Sequence, residues 1–234
     1  MTREQFIQAL ADIDIEITDY QLKQFEKYYE LLIEWNSKIN LTAITQEDEV
    51  YEKHFYDSLL VAKSFRFSNQ KICDVGAGAG FPSIPLKIIY PEIELVIVDS
   101  LTKRIKFLDI LAKELELTNF EAVSARAEDY AKENREQFDL VLGRAVARLN
   151  ILDELCIPLV KVNGYFIALK GKQGLEELEE AIKGIEKLGA VLRGKEKYQL
   201  LSDDSVRYIL KFEKVKKTDN KYPRNFGQIK KKPL

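Results

Sequence analysis

A chain of 234 residues, 46% hydrophobic and with a formal net charge of −2, is long enough for one α/β domain with an appendage or for two small domains. No stretch approaches the roughly 20 apolar residues needed to span a bilayer, so a soluble, cytoplasmic protein with no membrane partner is expected. Two distant cysteines, Cys73 and Cys156, and a single histidine, His54, exclude a disulfide framework and a soft-ligand metal cluster; both thiols read as buried, reduced packing residues and no metal is expected. In chain order, Thr2-Arg3-Glu4-Gln5 has the form of a capping box opening a short helix, and Thr18-Asp19 opens a longer one to about Asn36. Leu22, Phe25, Tyr29 and Leu32 recur at three and four residues, which gives that helix one buried face. The pattern breaks at 37–44. A third helix at about 47–65 carries Val50, His54, Leu60 and Val61 near one face, with Asp57 one turn after His54. Residues 1–67 read as a helical cap.

From Gln70 strands alternate with helices. Strands are expected at 72–75, 95–98 running into Asp99, 120–124, 138–142 and 165–169. Between them fall helices at 83–90 with Pro82 at the first turn, 101–115, 127–135, a Pro158-interrupted 149–160, and an acidic, exposed 175–188. The helix at 101–115 places Leu101, Ile105, Leu108, Ala112 and Leu115 on one stripe, with Ser100 as its cap. After a Ser202-Asp203-Asp204 turn, Val206, Tyr208, Leu210 and Phe212 alternate with Arg207, Ile209 and Lys211 as a late hairpin strand. Such alternation implies a parallel sheet covered on both faces. The expected fold is α/β, a Rossmann-like seven-stranded domain at 68–213 behind the cap, followed by a basic tail at 214–234. Residues 211–234 hold nine Lys or Arg against Glu213 and Asp219, which leaves the rest of the chain at −9. That tail is either a phosphate-binding arm or a solvated, disordered terminus.

The stretch with most chemical content is Cys73-Asp74-Val75-Gly76-Ala77-Gly78-Ala79-Gly80-Phe81-Pro82. Its alternating glycines leave main-chain N–H groups bare where a strand turns into a helix. The spacing is GxGxG, and Phe81 stands where a dinucleotide fingerprint needs its third glycine. With an acidic residue ahead of the glycines, the stretch resembles the S-adenosylmethionine (AdoMet) loop of Rossmann-like methyltransferases; the alternative is an ordinary glycine-rich turn. Ligands of open parallel sheets bind beyond the carboxyl ends of the strands, so the glycine loop, Asp99, Ala127-Glu128, Gly143-Arg144 and Lys170-Gly171 should converge. Asp99, 23 residues after Gly76, can accept both hydroxyl protons of a ribose, a feature AdoMet shares with NAD. Glu128 either addresses an adenine edge or is a first-turn residue favoured by the helix dipole. Gly143-Arg144-Ala145-Val146 lacks the Asn/Asp-Pro-Pro-aromatic motif of exocyclic amine methylases, and neither cysteine has a basic neighbour to activate it for attack on a pyrimidine carbon. Guanine N7, with an in-plane lone pair, needs alignment more than acid–base help. Arg144 is then a cofactor or phosphate contact, because an arginine on the O6/N7 edge would block N7.

Taken together, Asn40-Leu41-Thr42-Ala43-Ile44, His54-Phe55-Tyr56-Asp57-Ser58-Leu59, the Asp74 to Pro85 stretch, Asp99-Ser100 with Lys103-Arg104, Arg126-Ala127-Glu128, Arg144-Ala145 and the Pro223-Arg224 to Leu234 tail resemble the RsmG, or GidB, family of ribosomal small-subunit methyltransferases along nearly the whole chain. The resemblance implies an AdoMet-dependent enzyme that makes 7-methylguanosine in the 530 loop of 16S rRNA, near the decoding site, acting on rRNA or a small-subunit particle as a monomer. It implies cofactor contacts at Gly76, Gly78, Phe81, Asp99, Ser100, Leu101, Ala127, Glu128 and Arg144, and assigns no catalytic residue. Arg126, Arg148, Lys170, Arg224, Lys230, Lys231 and Lys232 become candidate phosphate contacts. His54 with Asp57 is either a packed polar pair or part of an RNA-facing lid, and Asn40 either a turn former or a residue folded over the ligand. The competing readings are a non-catalytic RNA-binding or assembly factor and a nucleotide-dependent oxidoreductase.

Overall fold

Alternation of side chains along the central strands decides the layering. In a computed structural model that describes residues 1–202 and 205–234, β1 (Lys71–Val75), β2 (Glu94–Asp99), β3 (Phe120–Ser124), β4 (Phe138–Arg144) and β5 (Val160–Lys170) pair in parallel. β7 (Val206–Lys214) returns antiparallel between β5 and β6 (Ala190–Gln199). The seven strands run in the order β3-β2-β1-β4-β5-β7-β6. Ile72, Leu95, Ile97, Leu140 and Leu142 face a core shared with α5 (Ser83–Ile89), α6 (Thr102–Glu114) and the N-terminal helices. Cys73, Val75, Val96, Val98 and Val141 face the opposite one, under α7 (Ala127–Glu133), α8 (Leu149–Cys156) and α9 (Gly174–Leu188). Period-2 alternation of apolar residues on both faces is what a doubly covered sheet requires. Strand order reverses between β1 and β4, so the ligand crevice of such a sheet opens above their carboxyl ends.

The cap is built from α1 (Arg3–Ala11), α2 (Asp19–Ile39) and a third helical run. Thr2 closes the expected capping box, and Thr18, expected only to open α2, closes a second one with Gln21. α2 buries Phe25, Tyr28, Leu31 and Leu32, while Leu22 and Tyr29 are only half-buried. The third run is irregular: α3 (Glu47–Val50) passes through a π-turn (Tyr51–Tyr56) into α4 (Asp57–Leu59) and a 3₁₀ turn (Leu60–Lys63). A π-turn inserts an extra residue and re-aims its side chains. Here it puts His54 and Asp57 on one wall of the same cleft.

Several expectations need correction. Ser100 does not cap α6. The helix begins at Thr102 behind Leu101, and the amide of Leu101 donates to Asp99 Oδ1 at 2.9 Å, so the stronger carboxylate acceptor displaces the serine hydroxyl. Leu101 lies outside the buried stripe, 51% exposed. The helix expected at 149–160 ends at Cys156; Pro158 sits in a 3₁₀ turn and β5 begins at Val160. Asp203 and Asp204 of the expected turn lie outside the described residues. The tail is ordered: Tyr222 and Ile229 are buried against the second core, and α10 (Phe226–Lys231), capped by Asn225, lies on α8. Among the described residues no helix is long and apolar enough to cross a membrane, and no group of three or more His, Cys, Asp or Glu could hold a metal ion.

Candidate functional site

Gly76, Gly78 and Gly80 hold φ of +73°, +62° and +101°, a region that side chains disfavour, so the turn from β1 into α5 needs glycine three times. What a Cβ would meet separates their roles. At Gly76 it would lie 2.7 Å from Val146, and at Gly80 2.6 Å from Ile84 and 2.8 Å from the Tyr28 hydroxyl. At Gly78 it would meet nothing within 4 Å. Gly76 and Gly80 thus let neighbouring parts close in, whereas Gly78 keeps a bare backbone facing open space. That is the cradle an AdoMet loop requires.

The cap clamps this loop. The Tyr28 hydroxyl donates to the Ala79 carbonyl at 2.6 Å, and its ring stacks on Phe81 at 5.2 Å. His54 also stacks on Phe81, at 4.5 Å, and the Arg144 guanidinium lies 5.0 Å from the same ring. Phe81, expected as a cofactor contact, is 4% exposed and is the hub of this stack. Asn40 ends α2 in the left-handed conformation and Thr42 bonds His54 Nε2 at 2.8 Å. Burial, with help from Arg144, pushes His54 down to about 3, so its imidazole is neutral at physiological pH. Beneath the loop, burial raises Asp74 to about 7 against the pull of Ser83, whose amide donates to Asp74 Oδ2 at 3.2 Å.

Next along the sheet, Asp99 is buried at the end of β2. Its Oδ2 faces the Gly78 amide at 3.3 Å and Arg104 at 3.2 Å, which joins the acidic strand end to the bare glycine. Ser100 and Leu101 are exposed directly beyond it, Glu128 is buried in the first turn of α7, and Arg126 is exposed ahead of that turn beside Ala127. Gly76, Gly78, Asp99, Leu101, Ala127 and Glu128 therefore share one end of the sheet. Because Asp99 holds the loop amide and Leu101 offers an uncovered apolar side chain, the residues present fit a nucleoside-bearing ligand such as AdoMet.

The neighbouring cleft, about 460 Å³, opens above β4 and β5. Asp57 braces two arginines across it: Arg144 at 3.0 Å and Arg207, from β7, at 3.4 Å. Burial pushes the Asp57 carboxyl up, against the pull of both arginines. Lys170 and Arg148 line the cleft but are engaged, Lys170 with Glu177 at 2.8 Å and Arg148 with Glu180 at 2.7 Å. The tail is elsewhere. Arg224 makes a two-pronged bond to Glu154 on α8, Leu234 packs on Gly184 of α9, and Lys230, Lys231 and Lys232 are exposed at the end of α10. Tyr28, Arg207 and Glu177 were not expected at the site. Tyr28 had only its place on an apolar helix face, and Arg207 only its alternation with Val206 and Tyr208. Cys73 and Cys156 are fully buried, and burial raises both thiols well above their ordinary range.

The sequence profile described as "GidB: rRNA small subunit methyltransferase G" matches residues 21–199. A protein named ribosomal RNA small subunit methyltransferase G from Macrococcus caseolyticus is 55% identical over 236 residues, covering 100% of this chain and 99% of that protein. One of the same name from Brevibacillus brevis is 52% identical, with 100% of both chains covered. Among solved structures, precorrin-6y C5,15-methyltransferase from Geobacter metallireducens is similar with a TM-score of 0.54 at 17% identity, over 67% of this chain and 87% of that one. A 16S rRNA (adenine(1408)-N(1))-methyltransferase from Catenulisporales acidiphilia gives 0.53 at 15% identity, over 65% and 88%. At these identities the structural likeness is one of fold, and that fold is the Rossmann-like methyltransferase architecture expected from the strand pattern. Profile and relatives together cover the cap, the glycine loop and the sheet, so the oxidoreductase reading is set aside and the chain belongs to the GidB family, that of rRNA small subunit methyltransferase G.

Proposed function

We propose that this chain transfers the methyl group of AdoMet to N7 of a guanine in small-subunit rRNA, within the 530 loop of 16S rRNA that the family resemblance implies. In this reading it acts as a cytoplasmic monomer on 16S rRNA or a small-subunit particle. One observation carries the choice of N7: among the described residues, the cleft beside the open cradle offers arginines and lysines but no competent base or nucleophile. His54 is held neutral with a pKa near 3, which makes it a poor proton acceptor at pH 7. Asp57 and Glu177 are each tied to cations, and both thiols are buried. A ring nitrogen with a free lone pair requires neither kind of help.

When bound, AdoMet supplies a methyl group on a cationic sulfonium. The chain's own work is then positional. Loop amides on either side of Gly78 would seat the donor, Asp99 would accept from its ribose, and Leu101 with Ala127-Glu128 would border its base. Arg144, fixed by Asp57 and by the Phe81 ring, would lie on the side from which the guanine approaches; exposed Arg126 would meet the RNA backbone, and Arg148 would do so on exchanging Glu180 for a phosphate. Positive charge passes from sulfur to the purine, and no proton leaves N7. Incubating the protein with methyl-labelled AdoMet and rRNA, then digesting to nucleosides, tests this directly. Label in 7-methylguanosine is expected. Label in another nucleoside, in protein or in a small metabolite overturns the reading, and RNA binding without transfer supports the assembly-factor alternative.

A further inference from the structure

We propose that Lys170 and Glu177 are positioning residues for methyl transfer, clamping the loop between β4 and α8 against the glycine loop, and that Lys170 does not contact phosphate. The inference rests on the methyltransferase reading above. Lys170 closes β5 and is 6% exposed. Its ammonium donates to the Ala147 carbonyl at 2.6 Å and pairs with Glu177 Oε2 at 2.8 Å. That same oxygen accepts the Leu149 amide at 2.7 Å. Ammonium and carboxylate thus tie a carbonyl and an amide that flank Arg148, and the loop is held from both sides. Arg148 adds a third tie, to Glu180 one turn further along α9.

The loop needs such a hold. Ala145 sits at φ +55°, where an L side chain is strained, and persists there only if its surroundings over-determine it. Its neighbour Val146 lies against Gly76, close enough that a Cβ on that glycine would stand 2.7 Å from a valine methyl. Arg144 immediately precedes Ala145. A shift at Ala147 or Leu149 therefore moves the wall shared by the cradle and the cleft, where a displacement of about 1 Å can cost roughly a hundredfold in rate. The approach of α9 is specific to this arrangement: a Cβ on Gly174 would come within 2.9 Å of the Lys170 side chain, so the glycine lets the helix begin beside the lysine it partners.

The full chain carrying Lys170→Met, Lys170→Arg or Glu177→Gln decides the matter. Steady-state transfer to rRNA, the salt dependence of RNA binding and hydrogen exchange of the 145–149 amides are measured for each. For Lys170→Met and Glu177→Gln we expect kcat to fall about 10- to 100-fold with the KM for rRNA within about twofold. The salt slope should be unchanged and loop exchange at least about tenfold faster. Lys170→Arg, which can donate to both partners, should recover most of the rate. A raised KM for rRNA with a salt slope lower by about one and kcat intact would make Lys170 a phosphate contact and overturn the clamp. Wild-type exchange rates in the loop of both variants would do the same. If Lys170→Met fails to fold, Glu177→Gln, which keeps its shape and can still accept from Leu149, decides alone. Absence of transfer by the wild type would fail the methyltransferase reading, while the exchange measurement still judges the clamp.

Discussion

Replacing Tyr28 by Phe removes one oxygen atom from the point where the cap grips the glycine loop. The hydroxyl is fully buried and, among the described residues, is the only donor to the Ala79 carbonyl; burial raises its pKa well above the ordinary range, so it stays a donor at any working pH. The ring remains, stacked on Phe81 and packed on Phe55, so no cavity term enters. What is lost is a hydrogen bond that leaves a buried carbonyl unsatisfied, costing ~1–3 kcal/mol, or roughly 2–12 °C in Tm for a chain of this size. Because that carbonyl belongs to the turn carrying Gly78, the fraction of molecules with a binding-ready loop should fall too. AdoMet affinity should weaken by about 3- to 10-fold, since the apparent Kd scales inversely with that fraction. Thermal unfolding and titration calorimetry measure both quantities, and Tyr29→Phe is the control, because its hydroxyl bonds Thr45 at 3.2 Å in an exposed setting. If Tyr28→Phe matched the control in both, or lost stability with an unchanged Kd, the cap would not be pinning the cofactor loop.

Gly78→Val should abolish detectable AdoMet binding by calorimetry while costing only about 1–2 kcal/mol of stability from its left-handed backbone, because its side chain meets open space rather than protein; retained affinity would contradict the placement of the cradle. Deleting residues 223–234 removes the Ile229 anchor and leaves Glu154 buried without Arg224, so unfolding should become easier by about 3–5 kcal/mol. The triple variant Lys230→Ala, Lys231→Ala, Lys232→Ala touches only exposed side chains and should keep the wild-type Tm while flattening the salt dependence of RNA binding; an unchanged slope takes the tail out of the RNA interface. Burial raises Asp153 to about 8 from an ordinary value near 3.8. A raised folded-state pKa stabilises most below 3.8 and loses that contribution as pH climbs through 8. Wild-type Tm should therefore decline between pH 4 and 8 more steeply than that of Asp153→Asn, and parallel profiles would show that the carboxyl is ionised throughout.

The sheet was legible because its signal is local. Ile72-Cys73, Leu95 to Val98 and Leu140 to Leu142 are short apolar runs that end at Asp74, Asp99 and Gly143, and the glycine loop marks its own turn. Elements set by tertiary context were not. The start of β5 hid behind Pro158 and Asn163-Gly164, and β6, with Gly194 among charged residues, has little strand propensity. The π-turn at Tyr51–Tyr56 has no sequence signature here, although it aims both His54 and Asp57. Of the site, the residues at strand ends could be found by counting, since topology fixes where strands end. Tyr28 and Glu177 could not. An aromatic on an amphipathic helix and a glutamate in an acidic one look the same whether they pack, dissolve in water or bond a distant loop.

The cap is best understood through what it touches. Tyr28 bonds Ala79, His54 stacks on Phe81, and Asp57 pairs with Arg144, so each of these cap residues meets a residue at the carboxyl end of β1 or β4. Those two strands flank the point where the sheet order reverses, and an open sheet leaves that crevice exposed. Covering it with helices restores a wall, but a polar wall facing two arginines needs a counter-charge when no substrate is present. Asp57 supplies one negative charge to Arg144 and Arg207 at once, which leaves the trio with a net charge of +1. Removing the carboxylate would leave two close guanidinium groups without a counter-charge, whereas an incoming phosphate could replace it at little electrostatic cost. The counter-charge thus comes from the cap and the arginines from the sheet, so the two parts contribute opposite charges to the same few ångströms of the cleft.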